Sequence, residues 1–226
     1  MELYGGAQKN GGFPAKMYYN NKTSGQVFQE GTAHMKRWDI INRYITHYNF
    51  ETFLEIGHAR GEAFSRIDIL NKESVDPNEN TNPTYVMTSD DFFEQCDKKY
   101  DIIFIDGLHE HAQVYRDILN ALAHLTSNGV IIMHDCHPTQ QSHQIHKFAH
   151  SGGEWTGDCW KAFIKARATL PYEMYVCDHD WGCGIIDTNI KQISNVSDLP
   201  TIMAKMTYDM FTAHPEWMNF TEQILL

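Results

Sequence analysis

A short apolar run that ends in a glycine-containing turn constrains this chain more than any other feature. Residues 53–56 are apolar apart from Glu55, the run stops at Gly57, and Gly61 opens a stretch with helical character that ends near Asn71. A strand, a glycine turn and a helix in this order are typical of the crossover in nucleotide-binding α/β folds. An ordinary strand-to-helix turn gives the same pattern, so the glycines alone do not define a ligand site.

Further apolar runs alternate with helical patterns along the chain. Strands are predicted at 74–76, 84–87, 101–105 and 130–133, followed by two closing strands, 172–177 and 182–187, that pair antiparallel. Helices are predicted from Ala33 to Tyr48, around 114–125 with a stop at Asn128-Gly129, from about Asp158, and over 203–211. Strands that are apolar on both faces and separated by helices indicate a doubly wound α/β fold with a mostly parallel sheet.

Length and composition limit the domain organisation and the partners. The 226 residues predict an N-terminal arm over 1–30 and a single domain over 31–226 with an inserted loop or lid at about 139–157. The net charge of −11 argues against nucleic acid as a partner. No apolar run approaches the roughly 20 residues of a membrane span, and the first residues lack a basic start and an apolar core. We therefore expect no membrane association and a cytoplasmic location, with the five cysteines, which form no C-x-x-C pair, reduced.

An acidic residue at the end of the second predicted strand favours an adenosine-containing cofactor. Asp76 follows the glycine turn at the place where a carboxylate can accept hydrogen bonds from both ribose hydroxyls. NAD and S-adenosylmethionine both satisfy this arrangement. The wider glycine spacing, which is not G-x-G-x-x-G, disfavours NAD, and the chain has no P-loop for ATP or GTP. The acid Glu55 before the turn suits a cationic sulfonium better than a polyphosphate.

Several motifs, taken in chain order, resemble one family. They are Phe53-Leu54-Glu55-Ile56-Gly57-His58-Ala59-Arg60-Gly61, Val75-Asp76-Pro77, Thr88-Ser89-Asp90-Asp91-Phe92-Phe93, Tyr100-Asp101-Ile102-Ile103-Phe104-Ile105-Asp106-Gly107-Leu108-His109-Glu110-His111, Asn128-Gly129-Val130-Ile131-Ile132-Met133-His134-Asp135-Cys136-His137-Pro138, Gly157-Asp158-Cys159-Trp160-Lys161-Ala162 and Asp180-Trp181-Gly182-Cys183-Gly184. The chain resembles class I S-adenosylmethionine-dependent methyltransferases, and in particular methyltransferase domain family 24. The resemblance implies a Rossmann-like sheet of seven strands with the last strand antiparallel, and methyl transfer as the activity.

The same resemblance implies a set of cofactor-binding residues. Glu55 and Gly57 are expected at the methionine and ribose end together with the other loop residues His58 and Gly61, and Asp76 at the ribose. Ser89 and Asp90 are expected beside the adenine and Asp106 at the edge of the cofactor site. Taken by themselves, Ser89 and Asp90 could instead form a helix N-cap.

The chemistry is expected where the fourth and fifth strands of this fold end. Five residues, Asp106, His109, His134, Asp135 and His137, should converge there. Methyl transfer is an in-line displacement in which the protein aligns the acceptor and removes its proton. His109 is the candidate general base, with Asp106 as the second catalytic residue. The alternative for His109 is a loop histidine that caps a helix.

A divalent metal is the other route to an activated acceptor, because it lowers the pKa of a bound hydroxyl. The family is similar to metal-dependent sugar and catechol O-methyltransferases, in which one acid and an adjacent pair of oxygen-bearing side chains bind magnesium. Asp106, His134 and Asp135 fall on those positions. A histidine in that set weakens the expectation of magnesium and leaves manganese, iron or no metal open.

The sequence therefore predicts an O-methyltransferase that uses S-adenosylmethionine, with Mg or Mn as a possible metal, on a small acceptor such as a sugar or surface-polysaccharide precursor. A homodimer is expected because arms such as 1–30 often complete a neighbouring subunit's site. Two rival interpretations remain: a catalytically silent adenosine-binding domain that acts through partners, and an NAD-dependent oxidoreductase.

Overall fold

The structure is a computed structural model that describes residues 34–145, 152–191 and 198–226. The predicted N-terminal arm and part of the predicted 139–157 insertion lie outside these residues. Within the described part, no helix is both long and apolar enough to cross a bilayer.

A seven-stranded sheet forms the centre of the fold. The strands are β1 (Thr52–Ile56), β2 (Asn71–Val75), β3 (Tyr100–Ile105), β4 (Leu125–Met133), β5 (Tyr172–Cys177), β6 (Cys183–Lys191) and β7 (Phe220–Thr221), in the order β2-β1-β3-β4-β6-β5-β7. Neighbours from β2 to β4 pair parallel, whereas β6 pairs antiparallel with both β4 and β5. The predicted doubly wound, mostly parallel sheet is confirmed, and its antiparallel member is the last strand that the sequence predicted.

Helices cover both faces of the sheet. They are α1 (Arg37–Tyr48), α2 (Glu62–Arg66), α3 (Ser89–Gln95), α4 (His111–Ala123), α5 (Cys159–Thr169) and α6 (Tyr208–Ala213). Alternate strand residues point to opposite faces. Ile103 and Ile105 of β3 therefore pack with α3, α4 and α5, while Ile102 and Phe104 pack with α1 and α2. This division explains why the strands read as continuous apolar runs.

Register places three strand ends side by side. Ile56 of β1 is the partner of Ile105 in β3, and Ile105 is the partner of Met133 in β4. The hydrogen-bond ladder continues one residue further, because the Asp106 amide donates to the Ile56 carbonyl at 2.8 Å and the His134 amide to the Ile105 carbonyl at 3.0 Å. The residues that follow these three parallel strands must therefore lie close together.

Several sequence-based elements or boundaries were wrong, among them the single helix predicted over 203–211, where the structure has a 3-10 turn at Met203–Lys205 and then α6. The strand predicted at 84–87 is only an isolated bridge between Tyr85 and Val75. Asn128-Gly129 does not end a helix: α4 ends at Ala123, and the pair lies inside β4, where the register with β3 shifts. The helix predicted up to Asn71 spans only Glu62–Arg66, because 71–75 form β2. The two-residue strand β7, parallel to β5, was not predicted.

Candidate active site

The glycine turn between β1 and α2 is shaped by backbone contact with the next strand end. Gly57 has a φ of +91°, and a Cβ there would lie 2.2 Å from the carbonyl oxygen of Asp106. A side chain at this position would therefore push β1 and β3 apart. Gly61 also has a positive φ, 67°, and is the residue that precedes the first turn of α2. The sequence predicts that the backbone at Gly57 comes close to a ligand. In the structure, the group that lies close to Gly57 is the backbone of Asp106 and Gly107.

Asp76 holds this turn in place. Its Oδ2 accepts hydrogen bonds from the backbone amides of His58 at 3.0 Å and Ala59 at 2.9 Å, and its Oδ1 accepts one from the amide of Asn78 at 2.8 Å. The carboxylate lies at the end of β2, half-buried, as the sequence predicts for a residue beside the ribose. The ribose contact itself stays a prediction.

Glu55 and His58 form a buried pair beside the turn. His58 Nδ1 and Glu55 Oε2 lie 2.8 Å apart, and Glu55 is 2% exposed. Burial, followed by the nearby charge of Asp106, raises the pKa of Glu55 to about 8. Burial also lowers the pKa of His58. Near neutral pH the pair therefore shares one proton and carries no net charge.

A cavity of about 220 Å³ opens at this point. It is lined by residues of the turn and of its neighbours: Arg37, Trp38, Glu55, Gly57, His58, Ala59, Arg60, Glu62, Ala63 and Asp106. It lies outside the carboxyl ends of β1 and β3, where open α/β sheets bind ligands.

Ser89 and Asp90 lie in the first turn of α3, but neither is its cap. Thr88 is the N-cap, and its side chain accepts a hydrogen bond from the amide of Asp91. Gln113 Nε2 donates to Ser89 Oγ at 3.2 Å and to Asp90 Oδ1 at 3.1 Å, and so ties α3 to α4. The N-cap interpretation of these two residues was therefore wrong, and their place beside an adenine stays a prediction.

An acid and histidine cluster lies next to the cavity. His109 Nε2 is 3.2 Å from Asp106 Oδ1, and His109 Nδ1 is 3.0 Å from Asp135 Oδ2. His134 Nδ1 lies 3.4 Å from Asp106 Oδ1 and 3.2 Å from Asp135 Oδ1. Four of the five residues expected to converge are thus in one cluster. His109 does not cap α4, since the residue at the cap is Glu110.

His137 does not join the cluster. Asp135 has a φ of +60°, which turns the chain away from the strand direction. The His137 amide then donates to the carbonyl of Trp181 at 2.8 Å, and His137 Nδ1 lies 2.5 Å from Asp178 Oδ1. The expectation for His137 was wrong because this left-handed residue redirects the segment toward the β5–β6 hairpin.

The cluster is electrostatically dense. Burial alone would lower the pKa of His134, but the carboxylates of Asp135 and Asp106 outweigh it and raise that pKa to about 10. The pKa of His109 is also raised, against burial, by Asp106 and Asp135. In return, His134 and His109 overcome the effect of burial and hold the pKa of Asp106 well below its usual value. The two acids therefore favour the charged form of both imidazoles.

Two buried imidazole nitrogens of the cluster have no hydrogen bond to any residue that the structure describes. His109 Nδ1 and His134 Nδ1 both lie near carboxylate oxygens but lack hydrogen-bonding geometry. One ligand atom each from Asp106, His134 and Asp135 can be chosen so that all three lie within 4.8 Å of one another. Nitrogen and oxygen donors at this spacing can hold a cation.

Residues 157–161 fix the loop that carries His109. The carbonyl of His109 accepts a hydrogen bond from the amide of Asp158 at 3.2 Å. Asp158 in turn accepts one from the amide of His111 at 2.8 Å and pairs with Lys161 at 3.0 Å. The ring of Trp155 stacks on the ring of His109, with 5.0 Å between centroids. The Gly157-Asp158 motif therefore has a positional role that its sequence did not reveal.

Arg37 and Asp180 are site residues that sequence reasoning missed. Arg37 Nη1 donates to Asp106 Oδ2 at 2.7 Å, and Arg37 Nε donates to Asp180 Oδ2 at 2.9 Å. The backbone of Asp180 reaches the cluster as well, since its carbonyl lies 2.5 Å from His134 Nε2. Arg37 is the first residue of a helix with an ordinary amphipathic pattern, so no local signal distinguishes it.

The architecture defines a class I methyltransferase fold. Residues 52–136 match the model of a family described as a methyltransferase domain. This match confirms the resemblance to methyltransferase domain family 24 over the segment that contains the glycine turn, Asp76 and the acid and histidine cluster.

Solved structures agree on the fold. SAH-bound methyltransferase PaMTH1 from Podospora anserina is 11% identical, with 67% of this chain and 77% of that chain covered and a TM-score of 0.50. A protein from Corynebacterium glutamicum is 12% identical, with 72% and 85% covered and a TM-score of 0.51. The cofactor-bound protein Rv0187 from MTB is 9% identical, with 69% and 80% covered and a TM-score of 0.52. No curated protein sequence matches the chain.

Proposed function

We propose that the protein transfers a methyl group from S-adenosylmethionine to an oxygen atom of a small acceptor. The observation that carries this proposal is one juxtaposition. The cavity at the glycine turn shares Asp106 with the acid and histidine cluster, so a cofactor site and a proton-accepting site adjoin. The methyltransferase family match over the same residues supports it.

The charge of the cavity suits the cofactor. Asp76 holds the turn, Asp106 gives the cavity an acidic wall, and Glu55, which is protonated near neutral pH, adds a second negative charge when a cation displaces its proton. An acidic wall attracts the sulfonium and the ammonium groups of S-adenosylmethionine, whereas it opposes the pyrophosphate of NAD. We therefore retain S-adenosylmethionine over NAD.

The cluster also fits a divalent metal. Asp106, His134 and Asp135 would hold it, and the buried Nδ1 of His134, which has no hydrogen bond to a described residue, is a donor atom that lacks a partner. A metal held there supplies Lewis acidity to the acceptor hydroxyl. Because imidazole is a better ligand for manganese or iron than for magnesium, we expect Mn²⁺ to bind more tightly than Mg²⁺.

The chain's own groups would align the acceptor and take its proton. Bound S-adenosylmethionine supplies a methyl group already activated by a positive sulfur. Methyl transfer would form the carbon–oxygen bond as the carbon–sulfur bond breaks, S-adenosylhomocysteine (SAH) would leave with the sulfur electron pair, and the hydroxyl proton would pass to the neutral form of His109. Carboxylate oxygens of Asp106 and Asp135 lie 3.2 and 3.0 Å from the two ring nitrogens of this imidazole. Trp155 covers one face of the His109 ring and limits the access of water to it.

The acceptor we propose is a sugar or surface-polysaccharide precursor. Trp155 is half-buried and stacks on the proposed base, so an aromatic surface lies within reach of an acceptor at this site. Aromatic faces are suited to packing against sugar rings. The homodimer and the cytoplasmic location stay predictions.

Calorimetric titration with S-adenosylmethionine, SAH and NAD tests the proposal first. We expect both adenosyl compounds to bind and NAD not to bind. Binding of NAD alone would favour the oxidoreductase. Binding of the adenosyl compounds without methyl transfer to any hydroxyl acceptor, with or without Mn²⁺ or Mg²⁺, would favour the silent domain.

The roles in the cluster are tested with matched histidine variants. His109→Gln should lower kcat by about 10²- to 10⁴-fold and leave SAH affinity unchanged. His137→Gln is the control, because His137 pairs with Asp178 outside the cluster. If both variants keep full turnover, His109 is not the base.

Metal binding is read without turnover. The paramagnetic resonance of Mn²⁺ should change on binding to the wild type and should not change with Asp106→Asn. Equal, weak binding to both proteins would remove the metal from the proposal.

A further inference from the structure

We infer that Arg37 is the residue that binds the carboxylate of the cofactor's amino-acid tail. The inference rests on the proposed function, and it concerns a residue that neither the sequence motifs nor the family match over 52–136 includes. Its basis is the position of the guanidinium, the way it is held and the charges around it.

Arg37 stands between two parts of the site. It is the first residue of α1 and lines the same cavity as Glu55, Gly57 and Asp106. Its side chain is 25% exposed, so the guanidinium is partly shielded from water but open to the cavity. A charge in such surroundings interacts more strongly with a ligand than one on the open surface.

The guanidinium is held in a fixed orientation. Nε and the backbone amide of Arg37 both donate to Asp180 Oδ2, at 2.9 and 3.0 Å, and Nη1 donates to Asp106 Oδ2 at 2.7 Å. These bonds use two of the five N–H groups of the guanidinium, and no other described residue accepts a side-chain hydrogen bond from it. Three donors are left for a further anion, and a planar fork of this kind binds a carboxylate through two parallel hydrogen bonds.

The cavity has both acidic and basic side chains, as the binding of a zwitterion requires. The tail of S-adenosylmethionine and of SAH carries an ammonium and a carboxylate on one carbon atom. Glu55 and Asp106 suit the ammonium, and the carboxylate then requires a cation within the same small space. Of the two arginines that line the cavity, Arg60 is exposed and has no ion pair with any described residue, whereas Arg37 is already oriented.

A purely structural role is the competing explanation. Arg37 joins the end of β3 to the β5–β6 hairpin through Asp106 and Asp180, and it could do no more than hold these elements together. The two roles differ in one respect. A structural role affects every ligand of the cavity equally, whereas a carboxylate-binding role affects only ligands that carry the tail.

Three ligands separate these outcomes by calorimetry. SAH has the whole tail, decarboxylated SAH lacks only the carboxylate, and 5′-methylthioadenosine lacks the amino acid. Loss of hydrogen bonds to a charged group corresponds to about a 10- to 100-fold loss of affinity. In the wild type we therefore expect SAH to bind at least about tenfold more tightly than its decarboxylated form.

Arg37→Gln should remove this preference. We expect its affinity for SAH to fall by about 10- to 100-fold and its affinity for 5′-methylthioadenosine to stay within about twofold of the wild type, while Arg37→Lys should recover part of the SAH affinity. Lys36→Gln is the matched control, because Lys36 is exposed and pairs with the same Asp180. It should leave all three affinities unchanged.

Three results would overturn the inference. Equal losses for SAH and 5′-methylthioadenosine in Arg37→Gln would show a structural role. Loss of the preference in Arg60→Gln instead would assign the carboxylate to Arg60. Equal binding of SAH and decarboxylated SAH by the wild type would also refute the inference. This comparison needs no variant, so the inference remains testable even if Arg37→Gln does not fold. If the wild type binds none of the three ligands, the proposed function fails together with the inference.

Discussion

Glu55 offers a test in which stability and ligand binding should change in opposite directions. It lies on β1, almost wholly buried, and its pKa is raised to about 8, first by burial and then by the charge of Asp106. Raising a carboxyl pKa from 4.5 to about 8 corresponds to a cost of about 5 kcal/mol for the ionised form in the folded protein. We predict that Glu55→Gln removes this cost.

The sign follows from proton linkage. The folded protein holds the Glu55 proton more tightly than the unfolded chain does, so the wild type loses stability as the pH rises from about 4.5 to about 8. A glutamine has the shape of the protonated acid and does not titrate. The free energy of unfolding of Glu55→Gln should therefore match that of the wild type near pH 4.5 and exceed it increasingly at higher pH. The gain should approach about 1.4 kcal/mol per pH unit, with about 5 kcal/mol as its upper limit.

Urea unfolding of both proteins between pH 5 and pH 9 measures this difference. Glu94→Gln is the matched control for the substitution itself, because Glu94 is exposed on α3. A Glu55→Gln protein that is equally stable at all pH values, or less stable at pH 9, would refute the reasoning.

Ligand binding should show the converse. The ammonium of the tail favours the ionised form of Glu55, so SAH should release a proton from the wild type near pH 7. Glu55→Gln should bind SAH more weakly than the wild type and release fewer protons on binding. Titrations in buffers that differ in ionisation enthalpy measure the release, and identical release from both proteins would exclude Glu55 as its source.

Two further predictions concern the framework of the site. Gly57→Ala should destabilise the protein by at least about 3 kcal/mol, because the backbone there has a positive φ and the new Cβ would lie 2.2 Å from a backbone carbonyl oxygen. Gly61→Ala should cost about 1–2 kcal/mol, because its Cβ meets only the end of a side chain. Equal losses of unfolding free energy in denaturant would contradict this contact argument. Asp158→Asn should lower kcat by about 10- to 100-fold with unchanged SAH affinity, because Asp158 positions the loop that carries His109; a change confined to KM or SAH affinity would assign it another role.

The parts of the fold that the sequence predicts are those with a local or periodic cause. Strands such as β3 are apolar on both faces because helices cover both, and this pattern is visible without a structure. The residues after β1, β3 and β4 could be placed together because parallel strands end at one edge. Asp106, His109, His134 and Asp135 were found in this way.

The missed features depend on contacts between distant segments. Arg37 and Asp180 are 143 residues apart, and nothing near either residue indicates the other. His137 was misplaced because the left-handed backbone at Asp135, which has no strong sequence signal in a non-glycine residue, reverses the direction that a continued strand would take. The two-residue β7 is too short to give a periodic pattern.

The charge balance of the site explains why its predicted ligands are cations. Four acids, Glu55, Asp106, Asp135 and Asp180, lie around one edge of the sheet, and each is half-buried or buried. Of the described lysines and arginines, Arg37 and Lys36 are the ones that pair with them. The rest of the balance comes from protons: burial and then the charge of Asp106 raise the pKa of Glu55, and the carboxylates of Asp106 and Asp135 raise the pKa values of His109 and His134 against burial. A site whose acids are balanced by protons can exchange those protons for other cations. The cations that methyl transfer uses are a sulfonium, an ammonium and a divalent metal ion. A site for a pyrophosphate would be built with the opposite excess, so this arrangement favours a methyltransferase over a dehydrogenase on physical grounds that do not depend on the family match.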